Sequence, residues 1–195
     1  KGVLATYREI PYPVPNLKGE MEYDGKQIRV HNLSGGEAPE SLWIDGTVDL
    51  LEDRPPHITM SLRGSEVPLD AKLIDALPKE LGEVLTSVTP TGCVDFTLKC
   101  DRAYKERPAG APTPPDALPL WASELHYSAN VKFMDCSFDV GLDVADAFGS
   151  MVIQGNVREK EHDSLGNTTF SKMKIEGKRF SDVSTQFMFK DHWLN

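Results

Sequence analysis

Apolar and polar residues alternate one by one along several stretches of the chain, and this period of two most limits how the chain can fold. In residues 94–100, for example, Val94, Phe96 and Leu98 are separated by polar residues. Successive side chains of a β-strand point to opposite sides, so the pattern is typical of a strand with one apolar and one polar face. Parallel strands buried on both faces would be continuously apolar. The alternation therefore predicts a mainly β fold with an antiparallel, amphipathic sheet.

Turn sequences separate the alternating stretches and indicate hairpins. Asp24-Gly25 is typical of a type I′ turn between antiparallel strands. A strand–turn–strand unit with a glycine inside its second strand occurs around Gly46 and again around Gly155, and a third, imperfect copy follows near the end of the chain. The copies are roughly 22–28 residues long, a length found in repeat arrays. We therefore expect a curved sheet or open groove built from hairpin repeats, with a closed sandwich or barrel as the alternative.

One segment has a helical rather than a strand period. Leucines recur at every fourth position from Leu69 to Leu85, which predicts a helical face. Asp70 is a suitable N-cap, and Pro78 divides the segment in two. We expect a pair of short helices near 70–86, covering an open end or edge of the sheet.

A proline-rich stretch, residues 107–121, divides the chain into two β-rich parts. Its prolines are incompatible with a central strand and favour an exposed loop. Residues 1–106 form the first part, which contains the helical insertion, and residues 122–195 form the second. Neither part has a complete core pattern of its own, so we expect one continuous structural unit.

The charge of the chain disfavours two classes of partner. The formal net charge is −9, and no run rich in lysine or arginine is present. An acidic surface repels phosphate backbones and anionic lipid headgroups, so we expect neither nucleic-acid binding nor electrostatic docking to a membrane. No stretch approaches the eighteen consecutive apolar residues that a membrane-spanning helix needs.

The sequence contains no recognisable catalytic or metal-binding motif. The five histidines have no metal-binding spacing, and there is neither a C-x-x-C nor a G-x-S-x-G sequence. Cys93, Cys100 and Cys136 are an odd number, which excludes a closed disulfide framework. Burial as small apolar residues is the simplest reading of them, although a bridge from Cys136 to one of the others stays open. We therefore expect a protein that is not an enzyme and needs no cofactor and no metal.

Several phrases resemble the repeating units of AsmA-like proteins of Gram-negative envelopes, which include the TamB- and YhdP-type bridge-like lipid transfer proteins. The phrases are LKGEMEYDGKQIRVHNLSGG with LWIDGTVDL, SEVPLDAKLIDALPKEL with TGCVDFTL, and MKIEGKRFSDVSTQFMFKD. In that family, short strands follow one another in a long array with a glycine between apolar positions. The resemblance implies a fragment of a longer chain, with a curved sheet and an apolar inner trough.

The resemblance further implies a periplasmic or cell-envelope protein, anchored through a segment outside this sequence. Its partner would be a phospholipid or another acyl-chain ligand, carried between membranes for outer-membrane biogenesis, with further protein partners in the envelope. The family has no catalytic residues to carry over. Alternation then selects the candidate groove residues, which are Ile28, Val30, Ile44, Val48, Leu50, Ile58, Met60, Leu62, Val94, Phe96 and Leu98. The alternative function is a structural or protein-binding β-module without a lipid ligand.

Overall fold

The computed structural model describes residues 3–7, 10–50, 55–76, 86–106, 121–158, 161–190 and 193–194. These residues form one antiparallel sheet of eleven strands, in which each strand pairs with its neighbours in sequence. The strands are β1 (Val3–Tyr7), β2 (Ile10–Tyr23), β3 (Gln27–Gly35), β4 (Ser41–Asp49), β5 (His57–Pro68), β6 (Thr91–Glu106), β7 (Trp121–Asp139), β8 (Asp143–Arg158), β9 (Glu161–Ile175), β10 (Lys178–Lys190) and β11 (Trp193–Leu194). The prediction of a mainly β, antiparallel and open sheet is confirmed.

The helical segment lies between β5 and β6. Helix α1 (Ala71–Ala76) begins after Asp70, whose carboxylate accepts a hydrogen bond from the backbone N–H of Leu73 at 3.1 Å. This is the N-cap that the sequence predicts. Residues 86–88 are also helical. Residues 77–85, which include Pro78, and most of the proline-rich stretch, 107–120, lie outside the described residues.

Cross-strand register separates the sheet into two faces. Ile44 pairs with Leu62, which pairs with Leu98, and the same row continues through β7 and β8. We call the side that carries these residues the apolar face. One position along, Ser61 pairs with Lys99, and their row carries polar residues across the same strands; this side is the polar face. The period of two in the sequence thus becomes a difference between the two faces of the sheet.

The buried core occupies one end of the apolar face. The buried apolar residues among those described are Val14, Leu42, Val67, Val94, Cys136, Val144, Ala147 and Met173. Leu69 and Leu73, at and within the helical segment, pack against them. We call this end of the sheet, with α1, the closed end. At the other end, the open end, Ile58 pairs with Arg102, and Arg102 pairs with Leu125.

Bulges bend the strands near the closed end. The register shifts between Gly64 and Val67 in β5, between Phe133 and Cys136 in β7, and between Ala145 and Phe148 in β8. Each shift contains a residue with positive φ, namely Glu66, Asp135 and Asp146. A bulge adds one residue to a strand and increases its local twist and bend. The repeated bulges therefore curve the sheet around the core.

Two glycines let aromatic rings cross from the neighbouring strand on the apolar face. Gly64 pairs with Phe96, and Gly166 pairs with Phe187. A Cβ added at Gly64 would lie 2.3 Å from a ring carbon of Phe96, and one at Gly166 would lie 2.2 Å from a ring carbon of Phe187. Both rings occupy space that any other residue would fill, so these glycines are needed for close packing rather than for a turn.

The accessible surface agrees with an open sheet. It amounts to 12555 Å² for this chain of 21.6 kDa. A compact protein of this mass would expose about 9,200 Å². Apart from α1, which packs on β2, the main contacts between the described elements join strands that are neighbours in the sheet. Much of the apolar face therefore has no second layer of described residues over it.

Candidate functional site

The apolar face contains most of the residues that the sequence suggested for a groove. Register places ten of the eleven on this face: Ile28, Val30, Ile44, Val48, Ile58, Met60, Leu62, Val94, Phe96 and Leu98. Nine of these are only partly buried, so their side chains remain in part accessible. The structure therefore brings together residues from four strands that the sequence could only select one strand at a time.

Two of the suggested residues do not line an accessible surface of the sheet. Val94 is 3% exposed and belongs to the core at the closed end, so nothing outside the protein can touch it. Leu50 follows the last residue of β4, and its side chain is 37% exposed. Its backbone N–H donates to the carbonyl of Lys26 instead of continuing the pairing with β5. Alternation was a poor guide here because it cannot tell where a strand ends or where the core lies.

The apolar face extends beyond the suggested residues into the second half of the chain. Ala129 pairs with Leu98 and with Ile153, and Leu125 pairs with Val157. Alternation in residues 125–133 already contained this information. What the sequence could not supply is the order of strands, which makes β7 and β8 direct continuations of the surface of β6.

A few polar side chains interrupt the apolar face toward the open end. Tyr127 and His162 are hydrogen-bonded, with 2.6 Å between the phenol oxygen and Nε2. Burial raises the pKa of the Tyr127 phenol above its usual value. Arg102 lies on this face too, between Ile58 and Leu125. These groups mark the limit of the continuous apolar surface.

The polar face carries a buried carboxylate held by cations. Glu124 in β7 is 5% exposed, and its carboxylate accepts a hydrogen bond from Arg158 Nε at 2.7 Å and contacts the ammonium of Lys105. The hydrogen bonds from Lys105 and Arg158 lower the pKa of Glu124 below its usual value. Three neighbouring strands, β6, β7 and β8, are joined by this cluster.

A cavity also lies on the polar face, where the sequence suggested no site. Its volume is about 960 Å³, and it is lined by residues of β4 to β10. Its lining consists of two rows of polar-face residues and of the residues between them, such as Met60, Cys100 and Tyr127. The next residues along the apolar face, Leu62, Leu98 and Ile153, do not line it. No single polar residue indicates this cavity in the sequence, because the cavity forms only when polar positions of seven strands are aligned.

Neither a metal centre nor a disulfide is found in the part of the chain that the structure describes. No three histidine, cysteine or acidic side chains in the described ranges are arranged to hold a metal ion. All three cysteines are free thiols, and Cys136 is fully buried with its Sγ 3.3 Å from the carbonyl oxygen of Cys93. Burial raises the pKa of Cys136, so its thiol is a poor nucleophile. Among the described helices, none is long and apolar enough to cross a membrane.

Comparison with known proteins finds no relative. No family model matches the chain, and neither a curated protein nor a solved structure is significantly similar to it. The function must therefore be argued from the geometry of the sheet.

Proposed function

We propose that the chain is a non-enzymatic segment of a cell-envelope protein whose apolar sheet face binds the acyl chains of phospholipids or similar lipids and carries them between membranes. The observation that carries the proposal is the apolar face itself, which crosses β3 to β8 with half-buried side chains and no second described layer over it. Soluble proteins rarely leave a contiguous apolar surface of this kind uncovered unless it binds something.

The dimensions of the face are suitable for an acyl chain. Six strands, β3 to β8, contribute to it. With roughly 4.8 Å between neighbouring strands, the face extends about 24 Å across them. One acyl chain spans roughly 15 Å, half of the hydrocarbon thickness of a bilayer. A chain lying across the strands would therefore be covered along its length by side chains such as Ile44, Leu62 and Leu98.

The energetics favour a ligand without polar requirements. Each methylene removed from water contributes about 0.8 kcal/mol, and an apolar surface provides this gain without fixed polar partners. The core and α1 at the closed end leave the accessible part of the face in the middle and toward the open end.

Crosslinking from two adjacent positions of β6 tests the proposal. Leu98 pairs with Leu62 and Ala129 on the apolar face, whereas Thr97 pairs with Arg63 and Asn130 on the polar face. A photo-crosslinking amino acid at position 98 is expected to capture lipid in cells, and the same probe at position 97 is not. Mass spectrometry of the adducts identifies the captured molecule. Lipid at neither position, in variants with a normal melting temperature, would contradict lipid binding.

A structural or protein-binding module is the second candidate, and one observation favours it. β11 pairs with β10 only at Phe189 and Lys190, so the outer edge of β10 from Lys178 to Met188 has no partner strand within the described residues. A long free edge can accept a strand from another protein. In the crosslinking experiment, protein adducts at position 98 without lipid would favour this candidate.

A further inference from the structure

The cavity on the polar face is a furrow between two parallel rows of side chains. One row, which we call the first row, contains Ser61, Lys99, Ser128 and Gln154, each paired in register with the next. The second row lies two positions along each strand and contains Thr59, Asp101, His126 and Asn156. All eight side chains line the same volume of about 960 Å³. The furrow therefore runs across the strands, at right angles to the backbone.

The second row is held in place by hydrogen bonds within the protein. His57 Nε2 lies 3.0 Å from a carboxylate oxygen of Asp101. His126 and Asn156 are hydrogen-bonded to each other across β7 and β8. Side chains that are fixed before a ligand arrives lose little conformational entropy when it binds. This row is thus a preorganised wall of the furrow.

The first row has free hydrogen-bonding capacity. In the described ranges, the side chains of Ser61, Ser128 and Gln154 form no hydrogen bond with another residue, and Lys99 forms no ion pair. Two hydroxyls, one amide and one ammonium are therefore turned toward the furrow with donors and acceptors available to a ligand.

These groups match a ligand rich in hydroxyl groups. Sugar hydroxyls both donate and accept, so they can bind the amide and ammonium of the first row as well as the carboxylate of the second row. A polyanion is disfavoured because Asp101 lines the furrow and the chain has a net charge of −9. Leu165 and Met188, which pair with each other at one end of the furrow, are 37% and 50% exposed and offer apolar contact to the C–H face of a sugar ring.

The spacing of the strands distinguishes a sugar chain from a peptide. Neighbouring strands lie roughly 4.8 Å apart, close to the length of one pyranose unit in an extended chain, whereas an extended peptide advances only about 3.3 Å per residue. A linear oligosaccharide can therefore place one sugar ring over each successive strand, whereas the residues of an extended peptide would not stay aligned with the strands. We infer that the furrow binds a linear, neutral oligosaccharide that crosses the strands, on the face opposite to the one for which lipid binding is proposed.

Titration with defined hexasaccharides tests the inference. The probes are a β-1,4-linked glucose hexamer, its N-acetylglucosamine counterpart, the corresponding disaccharides, and an uncharged hexapeptide of alternating Gly and Ser. Two-dimensional NMR of the ¹⁵N-labelled protein should show saturable shifts in β5 to β8 with at least one hexasaccharide, and weaker binding of its disaccharide because fewer strands are spanned.

Variants then assign the binding to the furrow. Gln154→Ala should weaken the hexasaccharide about tenfold, since one amide can form two hydrogen bonds with sugar hydroxyls. Asn167→Ala is the matched control, because Asn167 is exposed on the same face but does not line the furrow, and it should leave the affinity unchanged. Ser128→Trp should abolish binding by filling the furrow, with melting curves to verify folding. Absence of binding by both hexasaccharides, binding that Gln154→Ala and Ser128→Trp leave intact, or tighter binding of the hexapeptide would each overturn the inference.

Discussion

Gly64→Ala tests whether the aromatic ring of the neighbouring strand requires a glycine beneath it. An added Cβ would lie 2.3 and 2.8 Å from two ring carbons of Phe96 and 2.8 Å from Cγ2 of Val67. Gly64 is buried, and Val67 is 1% exposed in the core, so these neighbours have little room to move. Overpacking of this kind costs typically 1–3 kcal/mol. We expect a loss of about 2 kcal/mol, which for a chain of this size lowers the melting temperature by roughly 4–8 °C.

A double-mutant cycle isolates the contact with the ring. The free energy of unfolding is measured by urea denaturation for the native chain, Gly64→Ala, Phe96→Leu and the double variant. Because leucine lacks the ring atoms that the new Cβ would meet, Gly64→Ala should cost at least about 1 kcal/mol less when Phe96 is replaced. An equal cost in both backgrounds, or no cost in the native background, would refute the packing role assigned to this glycine.

Three further predictions concern the closed end, the buried carboxylate and the shape. Leu73→Asp should lower the melting temperature strongly because Leu73 packs on the core. Lys72→Asp is the control, since Lys72 is exposed on α1, and it should have little effect. Equal effects of the two substitutions would contradict the packing of the helix. The hydrogen bonds from Lys105 and Arg158 hold the pKa of Glu124 below its usual 4.5, so the ionised carboxylate stabilises the fold at neutral pH and this contribution is lost as the pH falls through the lowered pKa. Between pH 7 and pH 3, the melting temperature should therefore decline more steeply for the native chain than for Glu124→Gln. Parallel declines would contradict this role of Glu124. Small-angle scattering should give a radius of gyration above the roughly 16 Å of a compact chain of 195 residues, and a compact value would contradict an open sheet.

The facing of individual side chains was predictable because it depends on local geometry alone. One side of β6 carries Val94, Phe96 and Leu98, because successive side chains of any strand point to alternate sides, whichever strand it pairs with. The start of α1 was predictable in the same way, since Asp70 caps the first turn through a contact three residues away. Such features need no knowledge of the rest of the chain.

The candidate sites were less predictable because they combine residues that are distant in sequence. Val94 and Leu98 have the same pattern in the sequence, yet Val94 is buried in the core and Leu98 stays partly accessible. The difference arises at the closed end, where α1 packs on β2 and where the core includes Val94 but not Leu98. The polar furrow was missed altogether, because Gln154 and Asp101 have no sequence relation until β6, β7 and β8 are paired.

Sequence by itself determined the two faces of each strand, the antiparallel character of the pairing and the position of the first helix. The tertiary structure alone decided that eleven strands follow one another in an open sheet, that the core lies at one end, and that a furrow crosses the polar face. The physical reason is the distance along the sequence over which each interaction acts. A period of two and a helix cap act between residues a few positions apart, whereas strand order, bulge position and curvature depend on pairing between residues tens of positions apart.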